Sequence, residues 1–237
     1  MKKYIGTKQI EAEPMTMGEA YERDLLQVGR VPDAEYAKRM GYHVKYADGY
    51  ESWSPAEPFE EAYKLADTSL DRMQIEAEEL NGRYVKLAIF IDSGKMDEVV
   101  NDIYNKCLLE MQCYTMFDYI RLLDTRIQRM QGSDGAKVRK MNFGMAIMAL
   151  KAGFPIRRSG WNGKGLMVFK QVPAHIDSDI IPKMQSIPQS AKDLILKGKG
   201  FIDYTSQCLI YNENTGRADS WVPSISDVFA DDWEIVQ

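Results

Sequence analysis

The sequence predicts an α+β protein: a small N-terminal β-hairpin sheet, a long antiparallel helical hairpin, and a compact C-terminal α+β domain with an antiparallel sheet. Three observations predict it. Residues 42–53, YHVKYADGYESW, alternate apolar and polar side chains around Asp48-Gly49, a strong short-range hairpin signal. Apolar residues then recur at spacings of four and three through two long segments, which lines one face of a helix. After the polar linker QGSDG, residues 131–135, short helix and strand signals alternate with turn-forming residues.

At the N-terminus, KKYIGTKQIEAEP supplies a third strand beside the 42–53 hairpin, so residues 1–54 form a small β-rich segment. Ser54-Pro55-Ala56-Glu57 reads as a helix start, with an N-cap serine, proline at the first helical position and glutamate three residues after the cap. From there Phe59, Tyr63, Ala66, Leu70, Met73, Ala77, Leu80, Tyr84, Leu87 and Ile91 form a heptad seam, interrupted only by Asn81-Gly82. Ser93-Gly94 breaks the helix. Val100, Ile103, Cys107, Met111, Tyr114, Phe117, Ile120, Leu123, Ile127 and Met130 then make a second stripe. The short break makes residues 55–130 a helical hairpin whose stripes cover each other, and no chemistry is assigned to it.

A new domain begins near residue 136. Asn142-Phe143-Gly144 opens a short helix with Phe143, Ile147 and Leu150 on one face and Gly153 placed to end it. PIRR reads as a strand, SGWNGKG as a turn and GLMVFKQV as the return strand. Residues 173–200 carry Pro173, Pro182 and Pro188 and a helix at SAKDLILKG, a long insertion before the strand FIDYTSQCLIY. NENTG turns the chain into ADSW. SISDVFADDWEIV gives a capped short helix and a last strand, so residues 136–237 form an α+β unit of about five strands.

Composition narrows the function classes. The 237 residues are 45% hydrophobic and 27% charged, an ordinary globular balance. No stretch approaches the roughly 20 apolar residues that span a bilayer, and MKKYIGTKQI lacks the apolar core of a signal peptide, so a cytoplasmic protein is expected. Cys107, Cys113 and Cys208 are odd in number and fit no zinc spacing, which predicts reduced thiols. His43 and His175 lie far apart, with no nucleophile motif nearby, which argues against a triad or a multi-histidine metal site. No cofactor is expected. Residues 1–135 hold 17 Lys and Arg against 25 Asp and Glu, whereas residues 136–237 hold 13 against 10. A weakly basic domain on an acidic chain suits a small anion better than long nucleic acid.

The stretch RRSGWNGKG, residues 157–165, carries the strongest chemical signal. Gly160, Gly163 and Gly165 allow positive φ and close approach of backbone N–H groups to an anion, and Arg157 and Arg158 offer forked donors that match phosphate oxygens. Trp161 can stack on a base, and Asn162 presents a donor and an acceptor on one amide. Adjacent on a strand, the two arginines leave on opposite faces, and Arg158, closer to the turn, is the expected ligand contact. A tight hairpin turn with its tryptophan in the core explains the same letters, and Trp221 and Trp233 face the same choice.

MNFGMAIMALKAGFPIRRSGWNGKGLMVF, the insertion's MQSIPQSAKDL and the ending WVPSISDVFADDWEIV resemble the Thoeris anti-defence two family, in order from about residue 141 to 237. These are small phage proteins that sequester immune signalling nucleotides. The resemblance implies a non-enzymatic sponge for glyco-cyclic ADP-ribose, in some members also for cyclic dinucleotides, acting as a homotetramer in the cytoplasm of the infected host. It implies ligand-binding roles for the glycine-rich Trp-Asn turn, here Gly160, Trp161, Asn162, Gly163 and Gly165, and for the acidic-aromatic end with Asp227, Asp232 and Trp233. The family is usually a short stand-alone chain, whereas about 135 residues precede the match here, and these resemble uncharacterised phage-associated segments. Two other readings stay open. One is a hydrolase using Asp227, Asp231 or Asp232 as general base. The other is an interaction protein whose helical hairpin binds a host partner, which requires its seam to be partly exposed.

Overall fold

The structure is a computed structural model and describes residues 9–236. The chain divides into two compact units, residues 1–75 and residues 76–237.

In the first unit β1 (Glu11–Thr16), β2 (Met40–Lys45) and β3 (Glu51–Pro55) form an antiparallel sheet in the order β1-β2-β3. Asp48-Gly49 makes the turn between β2 and β3, with Gly49 at φ 85° and the Asp48 carboxylate accepting the Tyr50 N–H at 3.1 Å. The strand expected within KKYIGTKQIEAEP is realised only at its end, as β1, and its residues 2–8 lie outside the described residues. A helix α1 (Met17–Glu22) succeeds β1 directly, because Thr16 and Glu19 cap it reciprocally. Met15, Met17 and Ala20 pack with Trp53, whose indole N–H donates to the Met15 carbonyl at 3.0 Å. Gly41 is required beside that ring, since a Cβ there would lie 2.5 Å from it.

The expected helix start at Ser54 is corrected. Ser54 and Pro55 are the last residues of β3, held extended by pairing with Tyr42 and Gly41. The helix α2 (Ala56–Ala62) is short, and Phe59 leaves the seam to stack on Tyr42 with ring centroids 4.1 Å apart. The long helix α3 (Ser69–Asp92) starts instead at a second capping box. There Thr68 N–H donates to Asp71 at 2.8 Å and Asp71 N–H donates to the Thr68 hydroxyl at 3.1 Å. A side-chain–backbone exchange at Thr68 outcompetes the one that Ser54 could offer, because strand pairing has already taken Ser54 out of cap geometry.

In the second unit α3 runs without a break through Asn81-Gly82, and Gly94, at φ 75°, ends the hairpin's first arm. A short helix α4 (Lys95–Val99) leads to α5 (Ile103–Met130), capped by Asp102, whose carboxylate accepts the Tyr104 N–H at 3.0 Å. The arms are antiparallel. Tyr119 hydrogen-bonds Glu76, the Tyr84 and Phe117 rings lie 5.7 Å apart, and burial together with the Asp92 carboxylate pushes the Cys113 thiol up. The row that α5 buries is Leu109, Cys113, Met116, Ile120, Leu123 and Ile127. Of the expected stripe Ile120, Leu123 and Ile127 belong to that row, whereas Phe117 and Met130 are exposed, and Ile103, Cys107, Met111 and Tyr114 are exposed on the other side of the helix. Both rows have spacings of three and four, so periodicity could not choose between them. Near its end α5 ties into the C-terminal domain, with Asn142 donating to Asp118 at 2.5 Å and Arg129 donating to the Asp134 and Ala136 carbonyls.

The C-terminal domain sets α6 (Phe143–Lys151) on one face of a five-stranded antiparallel sheet. Its strands are β4 (Ile156–Arg158), β5 (Leu166–Lys170), β8 (Cys208–Asn212), β9 (Arg217–Ser220) and β10 (Trp233–Ile235), in the order β10-β4-β5-β8-β9. The core is Met141, Met145, Ala146, Ala149, Leu150, Ile156, Val168, Ala230 and Trp233. The segment FIDYTSQCLIY is corrected from one strand to two. Its first part, β7 (Ile202–Tyr204), leaves the main sheet and pairs with β6 (Ala174–Ile176) inside the insertion. The insertion also holds α7 (Gln189–Lys197), and α8 (Ile225–Val228) precedes β10.

His175 of β6 faces Asp203 of β7, with Nδ1 2.5 Å from the carboxylate and Nε2 3.2 Å from Asp177. The Asp203 hydrogen bond, against some desolvation, and both negative charges raise its pKa above the usual 6.5. The pairing therefore favours the β6-β7 fold below the unfolded-chain value and is lost as pH rises through the raised one. An NMR titration is expected to place the His175 midpoint above that of free histidine, and Asp203→Asn to return it towards 6.5. An unshifted midpoint in the parent chain would dissolve this ion pair. Among the described residues no group of three or more His, Cys, Asp or Glu could hold a metal ion, and no helix is long and apolar enough to cross a membrane.

Candidate functional site

The turn 159–165 between β4 and β5 is fastened to the C-terminal end of the chain. β4 pairs with β10 so that Arg157 lies opposite Glu234 and Arg158 opposite Trp233. Alternation along β4 sends Arg158 to the side of the buried Ile156 and Arg157 to the other, as adjacent strand residues must go. Arg157 is half exposed and pairs with Glu234 at 2.6 Å.

Arg158 is the centre of a buried polar network. Its Nε donates to Asp232 at 2.7 Å, and its Nη1 donates to Asp227 at 3.0 Å and to the Ser226 carbonyl at 3.2 Å. Asp232 also accepts the Gly160 N–H at 2.7 Å. Asp227 is saturated: one oxygen takes Arg158 and the Trp161 indole N–H at 3.1 Å, and the other takes the Ser224 N–H and hydroxyl. Burial alone would raise the Asp227 pKa, but the donors Ser224, Arg158 and Trp161 outweigh it and hold it at about 2. Trp233, fully buried, donates to the Asp227 carbonyl at 3.1 Å, and Trp161 and Trp221 pack edge-on against it at 5.4 and 6.1 Å.

This geometry gives several expected ligand contacts partners within the fold. Arg158 spends its Nε and Nη1 donors on two carboxylates and a carbonyl, which leaves Nη2 as its one nitrogen without a hydrogen bond among the described residues. Trp233 has no exposed face, and Asp227 has no lone pair left for a ligand. Trp161 is half-buried, its N–H donated to Asp227 and its ring near-perpendicular to Trp233, and Trp221 also packs on the core. The glycines have internal reasons. A Cβ at Gly160 would lie 2.6 Å from the Asp232 carboxylate, and Gly165 takes φ 77° with Asn214 close by. Gly163 would meet the flexible end of Leu166.

Three groups are left facing outward on this braced turn. Asn162 is exposed and its amide makes no hydrogen bond within the described residues. Lys164 is exposed, and its carbonyl is pinned by the Asn214 amide at 2.6 Å. Arg157 is the third. Sequence reasoning gave no site role to Lys164 or Asn214, and it read Ser224 only as a helix cap, the Ser-x-x-Asp capping box with Asp227. Of the carboxylates read as general bases, Asp231 is exposed and outside the network, whereas Asp227 and Asp232 are held ionised inside it.

Comparison with known proteins finds two family segments in the chain. Residues 141–236 match the family model of a Thoeris anti-defense 2-like domain. Residues 67–129, the helical hairpin, match a second model, Sequestin, so the hairpin left without chemistry is itself a recognised family segment. The curated protein "Thoeris anti-defense 2" of Bacillus phage SP01 is 33% identical over 102 residues, which cover 41% of this chain and 96% of that protein. With nearly the whole of that relative spanned by the domain that carries the braced turn, the chain belongs to the Thoeris anti-defense 2 family.

Proposed function

We propose that the C-terminal domain captures a small cyclic nucleotide signal, of the cyclic ADP-ribose type or a cyclic dinucleotide, and holds it without turnover. Family membership supports a phage anti-defence role, and sequestration of a signal in the host cytoplasm by a homo-oligomer is the form of it that fits this site. The observation that carries the reading is the braced turn: the Arg158 network fixes the backbone of 159–165 while leaving Asn162, Lys164 and Arg157 outward. A rigid turn with a free amide and an exposed lysine, beside the Glu234-paired Arg157, suits a polar, phosphorylated ligand, because little ordering is left to be done on binding. A hydrolytic role fits less well. A carboxylate held at about pKa 2 is a poor proton acceptor near neutral pH.

Calorimetry of the full chain against cyclic ADP-ribose isomers and cyclic dinucleotides tests the reading. At least one is expected to bind and to be recovered intact after the protein is denatured; recovery of a cleaved product would replace capture by catalysis. Within this scheme Asn162→Ala is expected to weaken binding by about 1 kcal/mol, roughly fivefold in Kd, while leaving the melting temperature unchanged. Unaltered affinity would remove Asn162 from the site.

A further inference from the structure

Helix α5 is apolar on two sides, and among the described residues only one is covered. Opposite the row that packs on α3, Ile103, Tyr104, Cys107, Leu108, Met111 and Tyr114 form a continuous uncharged stripe. Ile103 is 82% exposed, Tyr104 68%, Met111 58% and Tyr114 73%. Together they offer on the order of 700 Å² of largely apolar side-chain surface, more than a monomer commonly leaves in one patch and close to the roughly 800 Å² that each partner gives to a stable interface. Towards its C-terminal end the same side of the helix turns polar, at Asp118, and meets Asn142. The uncovered stripe is thus confined to the first half of α5, about 18 Å of helix.

We infer that a second copy of this chain covers this stripe, the two α5 helices crossing antiparallel about a two-fold axis near Leu108. Three features favour a second copy over another occupant. The stripe carries no charge, so an identical stripe meets it without like-charge repulsion. An axis at its midpoint sets Leu108 against the partner's Leu108 and Tyr104 beside the partner's Met111, a sulfur–aromatic pairing, so that each contact occurs twice. On the one edge where charges flank the stripe, Lys106, paired with Asp97 at 2.6 Å, and Glu110 are equidistant from that axis, so the Lys106 ion pair comes opposite the partner's Glu110 and the reverse. The inference does not depend on which ligand the C-terminal domain holds.

The axis also brings Cys107, an exposed free thiol, close to the partner's Cys107. A short bis-maleimide added to the full wild-type chain is therefore expected to give a covalent dimer whose crosslinked peptide joins the two Cys107 residues. The double variant Leu108→Glu with Met111→Glu is expected to keep its helical circular dichroism and to lose this crosslink; in sedimentation velocity its mass falls below that of the wild type wherever the C-terminal domain does not hold the same two copies together. The crosslink needs no substitution, so it decides the matter even if the double variant misfolds. A monomeric wild type, including one that takes a different protein on this stripe, would overturn the inference. So would a folded double variant that keeps the Cys107 crosslink, or an oligomer without that crosslink.

Discussion

Replacing Trp233 with alanine is expected to destabilise the second unit by about 3–5 kcal/mol, the range for truncating a fully buried large aromatic. The residue is 0% exposed and sits where the core and the polar network meet. Phe143, Trp161 and Trp221 all pack against its ring, and its N–H satisfies the Asp227 carbonyl. Its loss opens a cavity, removes three aromatic contacts and leaves a carbonyl unpaired. Denaturant unfolding followed by circular dichroism reads the effect. Trp233→Phe keeps much of the volume and is expected to recover more than half of the loss. A Trp233→Ala variant as stable as wild type but impaired in ligand binding would return this residue to the site that the sequence suggested for it.

The second expectation concerns Arg158. Alanine there leaves Asp227 and Asp232 facing each other across a mostly buried space with no cation between them. Removing one member of such a pair costs about 3–5 kcal/mol when burial is complete. With Arg158 18% and Asp232 28% exposed, the lower end of that range is expected. Arg158→Lys keeps the charge but cannot reach both carboxylates with one planar fork, so an intermediate loss is expected. Affinity for any ligand of the turn should fall together with stability, because the same carboxylates hold the Gly160 N–H and the Trp161 indole. Asn162→Ala is the contrast, since it should move affinity alone. A ligand-specific loss at Arg158 with unchanged stability would mean that the network opens to admit the ligand. The pH dependence has a fixed sign. The Asp227 pKa is depressed from 3.8 to about 2, so its contribution, about 2 kcal/mol, is complete above pH ~4 and is lost as pH falls through about 2. Arg158→Ala should therefore unfold at higher pH on acid titration than the parent.

Local features were legible where one short-range rule acted without competition. Asp48-Gly49, the Asn142 cap, the β4–turn–β5 hairpin and the Ser224 helix start all rest on turn and capping chemistry within a few residues, and all are present in the fold. The same chemistry misled at Ser54, where an equally good cap motif lies in a strand. Hydrogen bonds to β2, distant in sequence, decided between the two, and the cap then formed at Thr68 instead. The α5 stripe failed for a related reason. A helix with two apolar rows has no internal preference for which one faces α3, so burial of Leu109, Cys113 and Leu123 over Ile103, Met111 and Tyr114 was set by the neighbour.

The residues of the candidate site were found as a group, and the structure adds the contacts they make with one another. Spacing and residue type alone marked out RRSGWNGKG and the Asp-Trp ending as one chemical unit and set the number and hand of its donors and acceptors. They could not say whether those groups would meet a ligand or each other. That depends on β4 and β10, more than 70 residues apart, pairing so that Arg158 lands on Asp227 and Asp232. A guanidinium and two carboxylates brought together in a partly desolvated space satisfy one another first, because an unpaired buried charge costs more than a ligand contact returns. Asn162 and Lys164 are left to face outward because the folded network holds no group that needs them.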